Sequence, residues 1–146
     1  MVGKKVIIMK KIVILGIMVG VINLIVGMVL SQLYNFVFPS LAAEYVNPNL
    51  FRPWSDPLMS LYFLYPFLLG LVLTWIWDKT KKLIEGKTGW ERAYKFGLSY
   101  WIIAGLPGML ITYSSFYVSF LMILSWSISG LICAIVAGWI FAKKNP

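Results

Sequence analysis

Four stretches of the chain are apolar almost without interruption: roughly Ile12 to Leu33, Leu58 to Trp77, Ala93 to Tyr113 and Val118 to Ala142. Apart from Lys95 at the edge of the third, none contains Asp, Glu, Lys or Arg. A bilayer's hydrocarbon core is about 30 Å thick and takes about 20 helical residues to cross at 1.5 Å each. Each stretch has that reach, so the pattern predicts four transmembrane helices. A closed barrel is the other way to satisfy backbone polar groups in lipid, but its strands alternate polar and apolar residues. No such alternation occurs here. Between the first two spans lies a segment of about 24 residues, Tyr34 to Pro57, carrying Pro39, Pro48, Pro53 and Pro57. Within it Ser40 to Val46 is expected to form one short helix, at the interface or over the bundle. Asp78 to Arg92 is a short basic turn with two glycines, and Ser114 to Tyr117 only links two antiparallel neighbours.

Composition narrows the class. Of 146 residues, 60% are hydrophobic and 12% charged, whereas a soluble domain carries about a quarter charged residues. The mean hydropathy is +0.83. The expectation is therefore a single integral membrane domain over 1–146. Its fold class is all-α: an up-down four-helix transmembrane bundle with a long Pro-rich outer loop. Twelve of the 13 basic residues lie on one side of the spans, in Lys4 to Lys11, Lys79 to Lys95 and Lys143 to Lys144, with Arg52 alone on the other. Positive charge marks the cytoplasmic side, so both termini are expected inside. The net charge of +8 follows from this layout and from attraction to anionic lipid headgroups on the cytoplasmic face; nucleic acid is not an expected partner. The rival reading of the first span, a cleavable signal peptide ending near Ser40-Leu41-Ala42, conflicts with its length, since such a segment has about 7–15 apolar residues. The expected location is a prokaryotic plasma membrane.

Aromatic residues fit the same frame, with Trp75, Trp77, Trp90 and Trp139 near the inner interface and Trp54, Tyr113 and Tyr117 near the outer one. Trp101 and Trp126 lie deeper and need partners for their indole N–H groups. Lipid tails supply no hydrophobic drive between helices, so small residues must allow close contact. Gly16, Gly20, Asn23 and Gly27 fall on one face of the first helix. Gly97, Ala104 and Gly108 do so on the third, with Trp101 on the same stripe, and Ser127, Gly130, Ala134 and Gly138 on the fourth. These stripes are expected to seal the bundle, the alternative being a homodimer seam at Gly16 and Gly20. Asn23 is expected to join the first helix to a neighbour by a hydrogen bond worth roughly 0.6–2 kcal/mol, the alternative being an ion or substrate ligand. Pro66 and Pro107 each remove an N–H and free the carbonyl four residues earlier, at Tyr62 and Ile103, which predicts kinks. Two kinks at similar depth would either open a shallow cavity toward the outer loop or serve as packing bends.

The chemistry is sparse. One Cys, Cys133, and no His leave no disulfide, no thiolate cluster and no histidine base. No phosphate-binding glycine loop, no metalloprotease motif and no nucleophile–base set is present, so no catalytic residue, metal or cofactor is expected. Glu44, Arg52 and Asp56 are the charges of the outer loop. They would hold a polar ligand or partner, or do acid–base work on lipid with Glu44 or Asp56 as the acid, or else one acid pairs with Arg52 and ties the loop down. A proton-coupled small multidrug exporter has this size and span count, but needs an acid in its first helix, where this chain has Asn23. Disulfide-forming quinone-linked four-helix proteins need paired cysteines. The two hairpins share no motif that would indicate duplication.

The run Phe96 to Leu110, FGLSYWIIAGLPGML, together with the long outer loop, the Pro-bearing second helix, the basic turn and the Gly-rich last helix, resembles small uncharacterised prokaryotic four-span membrane proteins. The resemblance implies a shared architecture and assigns no activity or site residue. The expected function is a non-enzymatic membrane protein acting through self-association or as an accessory subunit of a larger membrane partner. The alternative is a small transporter or permeation subunit that uses the kinked second and third helices and Asn23.

Overall fold

The computed structural model describes the backbone of residues 2–146 and the side chains of residues 9–146. Lys4 and Lys5, counted above on the basic side, lie outside the described side chains. Six α-helices follow in order: α1 (Val2–Val37), α2 (Pro39–Tyr45), α3 (Leu61–Thr80), α4 (Gly89–Tyr100), α5 (Leu106–Ser115) and α6 (Phe120–Lys144). A 3₁₀ turn, Pro57–Ser60, leads into α3, and a π-helical turn, Trp101–Gly105, joins α4 to α5 in one long element. Four helical segments are long and apolar enough to cross a membrane: Met9–Val37, Pro57–Thr80, Gly89–Ser115 and Phe120–Lys144. A membrane location follows from their length and composition. The third span begins ahead of its apolar stretch because a capped polar turn extends the helix. Thr88 accepts from the Glu91 N–H at 3.1 Å, while Glu91 accepts from the Lys87 N–H at 2.8 Å, a close relative of the capping box. The last helix starts later than expected, since Ser119 caps it by accepting from the Met122 N–H.

α1 packs on α3, α4 packs on α6, and α1 and α3 both touch α6. The first seam is glycine against backbone. A Cβ at Gly16 would come within 2.8 Å of the Leu71 Cα, one at Gly20 within 2.8 Å of the Phe67 Cα, and one at Gly70 would collide with the Gly16 carbonyl oxygen. The second seam follows the same logic, with Gly97 against Ile135 and Gly138 against Ala93. Gly16 and Gly20 thus face α3 within the chain. By contrast, a Cβ at Gly27, Gly108 or Gly130 would meet nothing within 4 Å. These three stripe positions do not seal helices.

Both seams adjoin one buried cluster containing Leu15, Val19, Leu73, Trp77, Phe96 and Phe141. Trp77 and Phe141 pack on the Phe96 ring edge-to-face, at 5.2 Å and 5.8 Å between centroids. Trp77 is 0% exposed, so its ring is packed inside the protein. Its indole N–H donates to the Asn145 carbonyl at 2.8 Å, and the Arg92 guanidinium lies 5.2 Å from its ring. The Asn145 side chain, also buried, accepts from Lys11 and Lys81, each at 2.8 Å, and donates to Asp78. These bonds gather the lysine-bearing ends of α1, α3 and α6 at one end of the molecule, the basic end. The opposite end carries α2 and the loop that follows it. There Leu41 packs with Val118, Met122 and Ile123.

The two kinds of glycine should respond oppositely to one added methyl. Gly70→Ala is expected to lose about 1–3 kcal/mol to overpacking. Gly130→Ala should lose nothing and gain up to about 1 kcal/mol from reduced backbone freedom. Reversible unfolding in mixed micelles, followed by circular dichroism, measures both; equal losses would contradict the packing described.

Candidate functional site

Beyond the glycine seams the helices separate, and a cavity of about 350 Å³ lies between them toward the loop end. One α1 face supplies Asn23, Gly27 and Ser31 at i, i+4 spacing. One turn earlier on the same face, Val19 is wholly buried in the sealed core. The face therefore changes from packed to open at Asn23.

Each remaining wall has a local cause. In α3, Pro66 cannot donate to the Tyr62 carbonyl, and Tyr62, Tyr65 and Pro66 all line the cavity. In the third long helix, the strain expected at Pro107 is absorbed by the π turn one residue ahead of it. The Leu106 N–H donates to the Trp101 carbonyl, a wider loop of backbone that puts Ala104 and Gly105 on the wall. Such π turns are frequent at functional sites. The Trp101 indole fixes this turn to α6 by donating to the Ser127 carbonyl at 2.9 Å and the Ser127 hydroxyl at 3.1 Å. Ser127, Gly130 and Cys133 complete the wall on α6.

α2 closes the loop end. The Trp126 indole donates to the Tyr45 hydroxyl at 2.6 Å, and Phe51 stands edge-on to Trp126 at 6.2 Å. Burial pushes the Tyr45 phenol above its ordinary pKa, which keeps it protonated. The Ser119 backbone N–H donates to Glu44 at 2.6 Å, tying α2 to the start of α6. Both deep tryptophans thus have the N–H partners their burial requires.

Asn23 does not make the interhelical hydrogen bond expected of it. The residue is 5% exposed, yet neither its side-chain nitrogen nor its oxygen has a partner. Only its backbone carbonyl is approached, by the Cys133 thiol at 4.0 Å. Asn35, nearer the loop end, leaves its side-chain oxygen unpaired. Buried polar atoms are nearly always paired by protein or water, so an orphaned amide facing a cavity marks where an occupant bonds. The lining contains tyrosines, tryptophans, serines and asparagines but no Asp, Glu, Lys or Arg. The arrangement suits reversible binding through hydrogen bonds and ring contacts.

The charged loop residues are held elsewhere. Arg52 pairs with Asp56 at 2.7 Å, and Asp56 also caps the 3₁₀ turn by accepting from the Leu58 N–H at 2.9 Å. The Arg52 guanidinium, then the Leu58 N–H, hold the Asp56 carboxyl below the usual carboxylate range. Glu44 serves the α2 contact. The three charges therefore do not assemble into one site. On α5, the Thr112 hydroxyl donates back to the Gly108 carbonyl at 2.7 Å. Sequence reasoning found Asn23 and the two prolines but missed the lining tyrosines. The available signal was Tyr62, Tyr65 and Tyr100, phenols inside otherwise apolar spans.

Two outcomes follow. Replacing Asn23 by Leu should leave stability unchanged or raise it, since no protein hydrogen bond is lost; a loss of about 1 kcal/mol or more in micelle unfolding would show that the amide is structural glue. Because its folded pKa lies below its unfolded one, Asp56 contributes stability that is present above the unfolded pKa and lost as pH falls through the folded value. A carboxyl-carbon NMR titration should find Asp56 titrating low and returning toward the ordinary range in Arg52→Gln; an unchanged value in that variant would contradict the pairing.

No protein-family model, no curated protein and no solved structure matches the chain.

Proposed function

We propose that this chain is a small transporter or permeation subunit that takes its solute into the cavity between the kinked helices. The observation that carries this reading is the unpaired, buried Asn23 amide in a largely apolar cavity of about 350 Å³ that a few tyrosine, serine and asparagine groups also line. That volume lies at the lower end of the roughly 300–1,000 Å³ of small-molecule pockets. The distribution of Lys and Arg supports an up-down bundle with both termini in the cytoplasm, taken as that of a prokaryote. The cavity then lies in the outer half, beneath α2, and the glycine-sealed core closes the inner half, so that release of α2 on one side and of the core on the other would give alternating access.

Action through self-association or a larger partner drew its support from the lack of a catalytic set, the lack of intramembrane charge and the small-residue stripes, and the stripes alone would point to a partner surface. Gly16, Gly20, Gly97 and Gly138 meet neighbours within the chain, so that support is accounted for internally.

The test uses cysteine chemistry, which requires a thiolate and hence water at the sulfur. With Cys133→Ala as background, N-ethylmaleimide is expected to modify Gly130→Cys and to spare Ala137→Cys, which is wholly buried in the core. In intact cells an impermeant maleimide should modify Tyr117→Cys at the loop end. Equal inertness of the Gly130→Cys and Ala137→Cys thiols would overturn the cavity reading, and protection of Tyr117→Cys would reverse the orientation.

A further inference from the structure

The chemistry of the lining selects among solutes. A charged ligand leaving water would lose several kcal/mol of hydration, and the lining offers neither a carboxylate nor a basic group to replace it. Its rings would attract a cation through their faces but supply no countercharge, which leaves an unbalanced charge at mid-membrane depth. A neutral solute has no such cost.

The orphaned atoms specify more. Asn23 presents an unpaired donor and an unpaired acceptor on the same amide. Whichever way that amide is turned, its complement must carry an acceptor and a donor side by side, as a carboxamide does. Asn35 is twelve residues further along α1, about 18 Å away. A solute of this cavity's size anchored at Asn23 therefore leaves Asn35 to the mouth. Flat rings, those of Tyr65, Tyr100 and Trp101, line the same cavity. Amphipathic rings of this kind offer large contact area to a planar or apolar body.

We infer that the cavity takes an uncharged solute with a paired donor–acceptor head, such as a carboxamide, held by Asn23, and a flat apolar body held among the tyrosines and Trp101. This rests on the proposal that the cavity is a solute site and names the class of that solute. Anions and cations of the same shape are excluded by the missing countercharge. Gly27 and Gly130, beside which a Cβ meets open space, leave room for the body of the solute.

Three planar probes of one shape separate the cases: benzamide, benzoate and benzamidinium. Purified protein in nanodiscs, as Cys133→Ala with Gly130→Cys, is treated with N-ethylmaleimide in the presence of each. Benzamide is expected to slow modification several-fold in a saturable manner, and the two ions are not. Adding Asn23→Leu should abolish the benzamide effect while the cysteine stays reactive, and adding Gly27→Leu should weaken it by filling the site. Equal protection by all three probes, stronger protection by either ion, or reactivity unaffected by benzamide would overturn the inference and leave the cavity reading standing. A Gly130→Cys that never reacts would overturn both.

Discussion

Close approach of backbones at glycines is the constraint on which this fold depends. Helices in lipid gain nothing by hiding apolar side chains from a medium equally apolar, so they must approach within dispersion range or exchange hydrogen bonds. Gly16, Gly20 and Gly70 let α1 and α3 meet backbone to backbone, and Gly97 and Gly138 do the same for α4 and α6. All of these adjoin the core around Trp77 and Phe96. Where the contact glycines stop, at Gly27 and Gly130, the helices part. The closed half and the open half have one cause, the placement of small residues that meet a neighbour and of those that do not.

Hydrogen bonds then fix each end. At the basic end a single residue, Asn145, receives Lys11, Lys81 and the Trp77 indole and donates to Asp78. At the loop end Tyr45 and Glu44 fasten α2 across to α6. Between them, the π turn relieves Pro107 and supplies cavity wall. The polar groups left over are the Asn23 amide and the Asn35 oxygen, both lining the cavity.

Much of the architecture was legible in the sequence. An uncharged apolar run of sufficient length has few alternatives to a membrane helix, and four such runs give four helices. The short helix after Val37 was also legible, because Pro39 starts it and the polar loop ends it. The roles of individual residues were not. Gly16 and Gly27 look alike on a helical stripe, and only the three-dimensional neighbours show that one is wedged against Leu71 and the other faces space. Trp77 resembles its exposed neighbour Trp75, but it is buried and its indole bonds to an Asn 68 residues away. The π turn has no marker beyond a proline that usually signals a kink. Asn23 was recognisable as exceptional, yet its lack of a partner is a property of the assembled helices.

The central claim is that α1 passes from sealed to open between Val19 and Asn23. The most direct measurement is electron paramagnetic resonance of nitroxides placed singly at Leu15, Val19, Asn23, Gly27 and Ser31 in bilayers, reading collision with a water-soluble nickel chelate. Collision should be near zero at the first two positions and rise from Asn23 outward. A flat, uniformly low profile would contradict the division of the bundle into a sealed half and a solute-accessible half.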